Sequence, residues 1–331
     1  MIMGALLVGT WASSVLYTVE VMQAAYYYRH FKHDNWTLKL LVSSVIAIDS
    51  VSMIANYASV YLYTITHWGD LAYLQNQYWF DPLYIFATGV VTALVQSFLT
   101  ARYWALCAFI SLCRGPAPNL VLEPETNSSP HFILFIMVAT GGVFASGITI
   151  AIFPEYANRR KLIIPATVTW LIAEAVTDIS IALALLLEFR KVKTSFKETR
   201  SLLNGLVAQT IQTGTAGASI ALAVLVAYLA NPDSNGGSRG IAYCLGRVYC
   251  ITLLANLNSR NPGKTWSGGA HLRRGNQERS EGGDEYGGIR GFLVRALLRL
   301  TLTQCVLQMS TGPLWYSNFQ VLNGSVADLA S

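Results

Sequence analysis

The chain has 331 residues, of which 53% are hydrophobic and only 12% charged, with a mean hydropathy of +0.41, whereas soluble domains carry about 25% charged residues. Its formal charge of +5 at pH 7 comes from Arg and Lys gathered beside the ends of long apolar blocks, which sets membrane orientation and points away from nucleic acid as a partner. This composition excludes an ordinary soluble domain and implies an all-α integral membrane bundle embedded in lipid.

Seven apolar blocks follow one another, at roughly 3–28, 38–65, 82–110, 131–153, 162–188, 202–230 and 240–257. The first opens "MIMGALLVGTWASSVLYTVEVMQ". It lacks a basic leading region and its apolar run exceeds the roughly 7–15 residues of a signal-peptide core, so it is expected to stay as a membrane helix. Each of the first six blocks can cross a hydrocarbon core about 30 Å thick at about 1.5 Å per residue. The seventh is short and contains Arg247, which makes it the weakest expected span. The predicted domains are a seven-helix transmembrane bundle over 1–260 and a cytosolic tail over 261–331. Residues 261–290 are Gly-rich, charged and poor in apolar side chains, the composition of a disordered tail. Residues 291–309 set Arg295 and Arg299 on one helix face among leucines. They are expected to lie as an amphipathic helix in the membrane interface, because two arginines would be costly within lipid.

Loop charge predicts the orientation. The odd loops and their helix ends hold Arg29, Lys32, Lys39, Arg102, Arg114, Arg190, Lys191, Lys193, Lys197 and Arg200. The even loops hold Arg159, Arg160, Lys161 and Arg239. The richer side is expected to be cytosolic, placing the N-terminus outside and the C-terminus in the cytosol of a cell whose plasma membrane holds the protein. The glycosylation sequons at Asn35, Asn127 and Asn323 then fall on the cytosolic side and stay unused.

Polar residues inside the blocks carry the chemistry. Glu20 and Gln23 sit toward the cytosolic end of the first block, nearer water. Asp49 lies in the second, Gln96 in the third, Glu174 and Asp178 in the fifth, Gln209 and Gln212 in the sixth and Arg247 in the seventh. An ionised side chain at the bilayer centre costs about 2.5–3.5 kcal/mol on insertion scales, so these groups should face the bundle interior. Glu174 and Asp178 are four residues apart and share a helix face. Two ionised acids so close in a low dielectric repel, so at least one is expected to hold a proton. Trp170 and Thr177 lie near the same side and could donate hydrogen bonds to them. Three roles satisfy this placement: structural bonds between helices, a polar ligand pocket, or an ion or proton pathway. Arg247 is the obvious counter-charge. The candidates are therefore Asp49, Gln96, Glu174, Asp178 and Arg247.

Other features read as fabric. The sixth block concentrates Gly, Ala, Ser and Thr, which let helices approach closely. The tyrosines at 26–28 and the aromatics at 78–80 and 84 lie near block ends, where they serve as interfacial anchors. The cysteines at 107, 113, 244, 250 and 305 show no CxxC spacing, so neither a disulfide framework nor a zinc site is expected. There is no HExxH, GxSxG, P-loop or dinucleotide fingerprint. No lysine lies inside a block except Lys39 at an edge, which excludes a retinal Schiff base. An enzyme, a cofactor and a metal are all unexpected.

An ordered set of spaced residues resembles one family. It runs through "QAAYYYRHFKHD" with Gln23, Tyr27 and Asp34; then Lys39, Val42 and Asp49; then "TGVVTALVQSFLTARYW" with Gln96, Phe98 and Arg102. It continues with Trp170 and Asp178, then Thr213-Gly214, and ends in "RVYCITLLANLNSR" with Arg247, Tyr249, Asn258 and Arg260. Over roughly 4–260 this resembles the seven-helix membrane proteins of basidiomycete fungi grouped as domain of unknown function 6534. The resemblance implies a seven-helix membrane fold with no established activity. The chain departs from the pattern in a short segment between the sixth and seventh blocks and in its hydrophobic end after 290. The function expected first is receptor-like: a small molecule or lipid in an interior pocket, and a cytosolic signalling partner at the basic loop 190–200. The alternatives are a transporter or channel using the intramembrane acids, or a structural membrane protein without a ligand.

Overall fold

The computed structural model describes residues 2–70, 73, 76–114, 128–153, 156–191, 197–230 and 236–258. The predicted tail features, the sequons at Asn127 and Asn323 and the middle of the 190–200 loop lie outside them, as do the side chains of Gln209 and Gln212. Among the described residues every long element is a helix. These are α1 (Ile2–His30), α2 (Trp36–Tyr61), α3 (Phe80–Arg114), α4 (Ser128–Ile152), α5 (Tyr156–Lys191), α6 (Lys197–Ala230), α7 (Gly236–Ala242) and α8 (Leu245–Asn258). A π-helical turn, Leu62–Thr66, prolongs α2. Helices satisfy their own backbone polar groups, as hydrocarbon requires.

Six helical stretches are long and apolar enough to cross a membrane: Met3–His30, Trp36–Thr66, Phe80–Ala105, His131–Ile152, Lys161–Leu187 and Ser238–Asn258. A shorter apolar stretch, Gly214–Ala230, lies within α6. The protein is membrane-embedded. The expectation of a marginal last span is corrected, because Ser238–Asn258 has 21 residues and is 94% buried, against 28% for His131–Ile152. A helix wrapped by protein needs no lipid-compatible surface, so it can carry Arg and Asn where an outer helix cannot.

Consecutive helices α1 to α6 pack side by side. The α7–α8 pair closes the ring between α6 and α1, and α8 also touches α2 and α3. Glycines permit the tightest crossing: a Cβ on Gly9 of α1 would collide with the Gly240 backbone of α7, and one on Gly240 with the Ala5 carbonyl. The small residues of α6 act as expected, with a Cβ on Gly214 falling 3.4 Å from Ala182 Cβ. On α5, Ile172, Val176, Ile179, Leu183 and Leu187 are exposed, whereas Trp170, Glu174, Thr177, Asp178, Ile181 and Leu185 are buried. That division, with helical spacing, turns both acids inward. Several expected interfacial anchors are interior instead. Tyr27, Phe80 and Tyr84 are buried, and Tyr84 donates to the Ala242 carbonyl. Trp79 and Tyr28 remain on the outside.

Candidate functional site: two acid centres flanking one helix

Helix α8 carries a polar group toward almost every neighbour, and two buried acid centres form on its sides. The first lies against α1 and α2. Arg247 donates through Nη1 to the Asp49 carboxylate and, at 3.2 Å, to the Asp49 backbone carbonyl. Its Nε donates to Ser13 Oγ at 3.2 Å, and its Nη2 reaches Ser52 Oγ at 3.4 Å and Met53 Sδ at 3.5 Å. Tyr17 places its ring 5.9 Å from the guanidinium carbon. Ser13 in turn donates to the Tyr243 carbonyl at 3.1 Å. Asp49 and Arg247 are both essentially inaccessible, so the pair is held in low dielectric by its hydrogen bonds. Glu20 and Cys250 complete the cluster.

The second centre lies between α3, α5 and α8. Gln96 Nε2 donates to Asp178 Oδ1 at 3.2 Å, and Tyr249 Oη donates to Oδ2 at 2.5 Å. Asp178 therefore faces the bundle interior, as expected, and meets polar groups from the third and last spans. Glu174 is equally buried one turn away. Thr92, Trp170 and Tyr249 are its polar neighbours, yet no described residue makes a well-aligned hydrogen bond to either of its carboxylate oxygens. Thr177 does not serve the acids; its hydroxyl donates to the Ala173 carbonyl of its own helix at 2.6 Å. Gly217 of α6 lets the wall close on this centre, since a Cβ there would sit 2.5 Å from Asp178 Oδ2 and 3.3 Å from the Tyr249 hydroxyl.

Polar contacts continue to both ends of this helical pair. At one end Arg239 bonds Asp81 at 2.9 Å, with Tyr63 beneath the guanidinium. At the other, Arg102 donates to Asn256 Oδ1 at 2.9 Å and Asn258 to the Gln23 carbonyl at 2.9 Å.

Residues 174–262 match the model of a family of unknown function, DUF6534. No curated protein and no solved structure matches the chain. The matched residues include Glu174, Asp178, Arg247, Tyr249 and Cys250, and so one side of each acid centre. Ser13, Glu20, Asp49, Thr92 and Gln96 come from helices outside the matched residues.

Of the five candidates from sequence, the structure joins Asp49 to Arg247 and Gln96 to Asp178, and sets Glu174 beside Asp178. Three contributors lay outside that set. Glu20 is fully buried, in the second half of α1 and ten residues before His30. Tyr249 appears in the family resemblance but carries no charge to single it out. Arg239 reads as a loop charge and is in fact paired with Asp81.

Proposed function

We propose that the chain is a seven-helix receptor-like protein that senses a small molecule at the Glu174–Asp178 centre. The observation that carries this reading is the Glu174 carboxylate, buried beside a second acid and without a well-aligned hydrogen bond from any described residue. Two adjacent carboxyl groups favour a ligand that brings hydrogen-bond donors or positive charge, such as a small amine or polyol. Tyr249 couples the centre to α8, whose polar contacts reach both ends of the bundle. Ligand binding would thus bias a helix that touches α1, α2, α3 and α6. The N-terminus lies outside and the basic loop at 190–200 meets a cytosolic signalling partner, following the loop charges. The protein has no enzymatic role, which agrees with the lack of catalytic signatures in its sequence.

The experiment is a ligand screen on purified protein in nanodiscs, read by thermal unfolding. Amines or polyols should raise Tm in a saturable way, and Glu174→Gln should lose the response while unfolding at a similar temperature in buffer. A response only to fatty acids, unchanged in Glu174→Gln, would place the ligand elsewhere. The transporter reading draws on the further buried acid, Glu20, on the other side of α8. Ion or substrate flux into proteoliposomes, lost in Glu174→Gln, would establish it in place of the receptor reading.

A further inference from the structure

Beyond that ligand centre, we propose that Glu20, Asp49 and Cys250 form a binding site for a monovalent metal cation, with sodium the fitting ion. The three residues come from α1, α2 and α8, and their ligand atoms all lie within 4.8 Å of one another. All are buried. Glu20 lies within hydrogen-bonding reach of Asp49 and Cys250, yet no described residue makes a well-aligned hydrogen bond to either of its oxygens or to Asp49 Oδ2. One carboxylate oxygen from each of Glu20 and Asp49 thus converges in the interior beside a sulfur. Leaving such acceptors without a donor or a cation is costly.

Arg247 does not discharge this need. Its nitrogens are committed to Asp49 Oδ1, the Asp49 carbonyl, Ser13, Ser52 and Met53. With both acids ionised, two carboxylates against one guanidinium leave one negative charge, which a single monovalent cation neutralises. The hard oxygen donors suit sodium. A divalent magnesium or calcium ion would bring more positive charge than the single negative charge left by the cluster. Zinc would require the thiolate form of Cys250, next to two carboxylates that disfavour a further negative charge. Arg247, bonded to the other oxygen of Asp49, orients that ligand from behind.

The test uses the full chain in nanodiscs, with thermal unfolding followed across a sodium chloride series at ionic strength held constant with choline chloride. The expected result is a Tm that rises and saturates with sodium, rises less with potassium, and loses its sodium dependence in Glu20→Gln. Cys250→Ser exchanges sulfur for an oxygen donor and is expected to keep a sodium response. If Glu20→Gln does not fold, the wild-type comparison of sodium, potassium and choline decides alone. A Tm that ignores sodium, or that rises equally with every cation, overturns the site. So does a sodium response intact in folded Glu20→Gln. Dependence on pH without dependence on sodium would mean that a proton shared by Glu20 and Asp49 fills the role, which also overturns it. Stoichiometric zinc in the purified protein, lost in Cys250→Ser, would overturn the monovalent assignment.

Discussion

The two acid centres flank the same helix and each contains two carboxylates, yet they settle their charge by different means. At Asp49 a guanidinium from α8 supplies an opposite charge and several hydrogen bonds. At Asp178 the partners are an amide and a phenol, both neutral. The first arrangement resists neutralisation of either member, because the survivor is left charged and buried. The second tolerates a neutral isostere, because its bonds need only a dipole of the right shape. Helix α8 therefore has an ionic side toward α1 and α2 and a hydrogen-bonding side toward α3 and α5. A structural role is the natural reading of the Arg247–Asp49 pair itself, and a ligand-responsive one of the Glu174–Asp178 side.

The largest effect should come from breaking the ionic side. Arg247→Met strands Asp49 and Glu20 without a guanidinium, and the expected loss is about 3–5 kcal/mol, read as failure to reach the membrane or as a steep fall in Tm. Adding Asp49→Asn to it should recover part of that loss, as a double-mutant cycle would measure. Should Arg247→Met alone fold with wild-type stability, the contrast between the two sides has no basis.

Next in size is overpacking on the hydrogen-bonding side. Gly217→Val would push into Asp178 and the Tyr249 ring, at a cost of about 1–3 kcal/mol. Gly141 of α4 is the control, since nothing lies within 4 Å of a Cβ placed there. Gly141→Ala should leave unfolding unchanged or raise it slightly. Equal damage at both positions would mean that the wall at Gly217 is not closed on the acid. A smaller loss, about 0.6–1.7 kcal/mol, is expected for Tyr249→Phe, the range of single hydrogen bonds between membrane helices. Thermal unfolding in nanodiscs would measure it.

How much of this could be read from residues alone depends on what each residue announces. Apolar length announces a helix, so the spans at Trp36–Thr66 and Lys161–Leu187 follow from composition. A charge in an apolar block announces an interior position, which is why Asp49, Arg247, Glu174 and Asp178 were legible. The pairing was not, because spacing along one helix carries no distance to another. The partition of Arg247 to Asp49 and of Tyr249 to Asp178 depends on α8 standing between α2 and α5. The last span looked weak for the same reason that it is central. Hydropathy measures fitness for lipid, and a helix that is 94% buried is selected for contacts with protein. Glu20 lies in the second half of α1 as expected, but its enclosure by protein is a matter of packing that position along one helix does not announce.

The smallest expected effect is also the most discriminating. Asp178→Asn keeps the size of the side chain and an oxygen to accept from Tyr249 or Gln96, so the expected loss of stability is below about 1 kcal/mol. Asp178→Leu removes both acceptors and leaves the Gln96 amide and the Tyr249 hydroxyl unpaired in the interior, at about 1–3 kcal/mol for each stranded donor. If both variants are equally harmful, a charge is required at this position and the centre resembles the Asp49 side after all. If Asp178→Asn folds, reaches the membrane and still responds to ligand, the carboxylate is a hydrogen-bonding element of the bundle. If it folds and reaches the membrane but no longer responds, the acid itself reads the ligand. Surface delivery, thermal unfolding and ligand-induced shift in Tm, measured on the same two variants, separate these outcomes because delivery and unfolding report the fold while the shift reports the site.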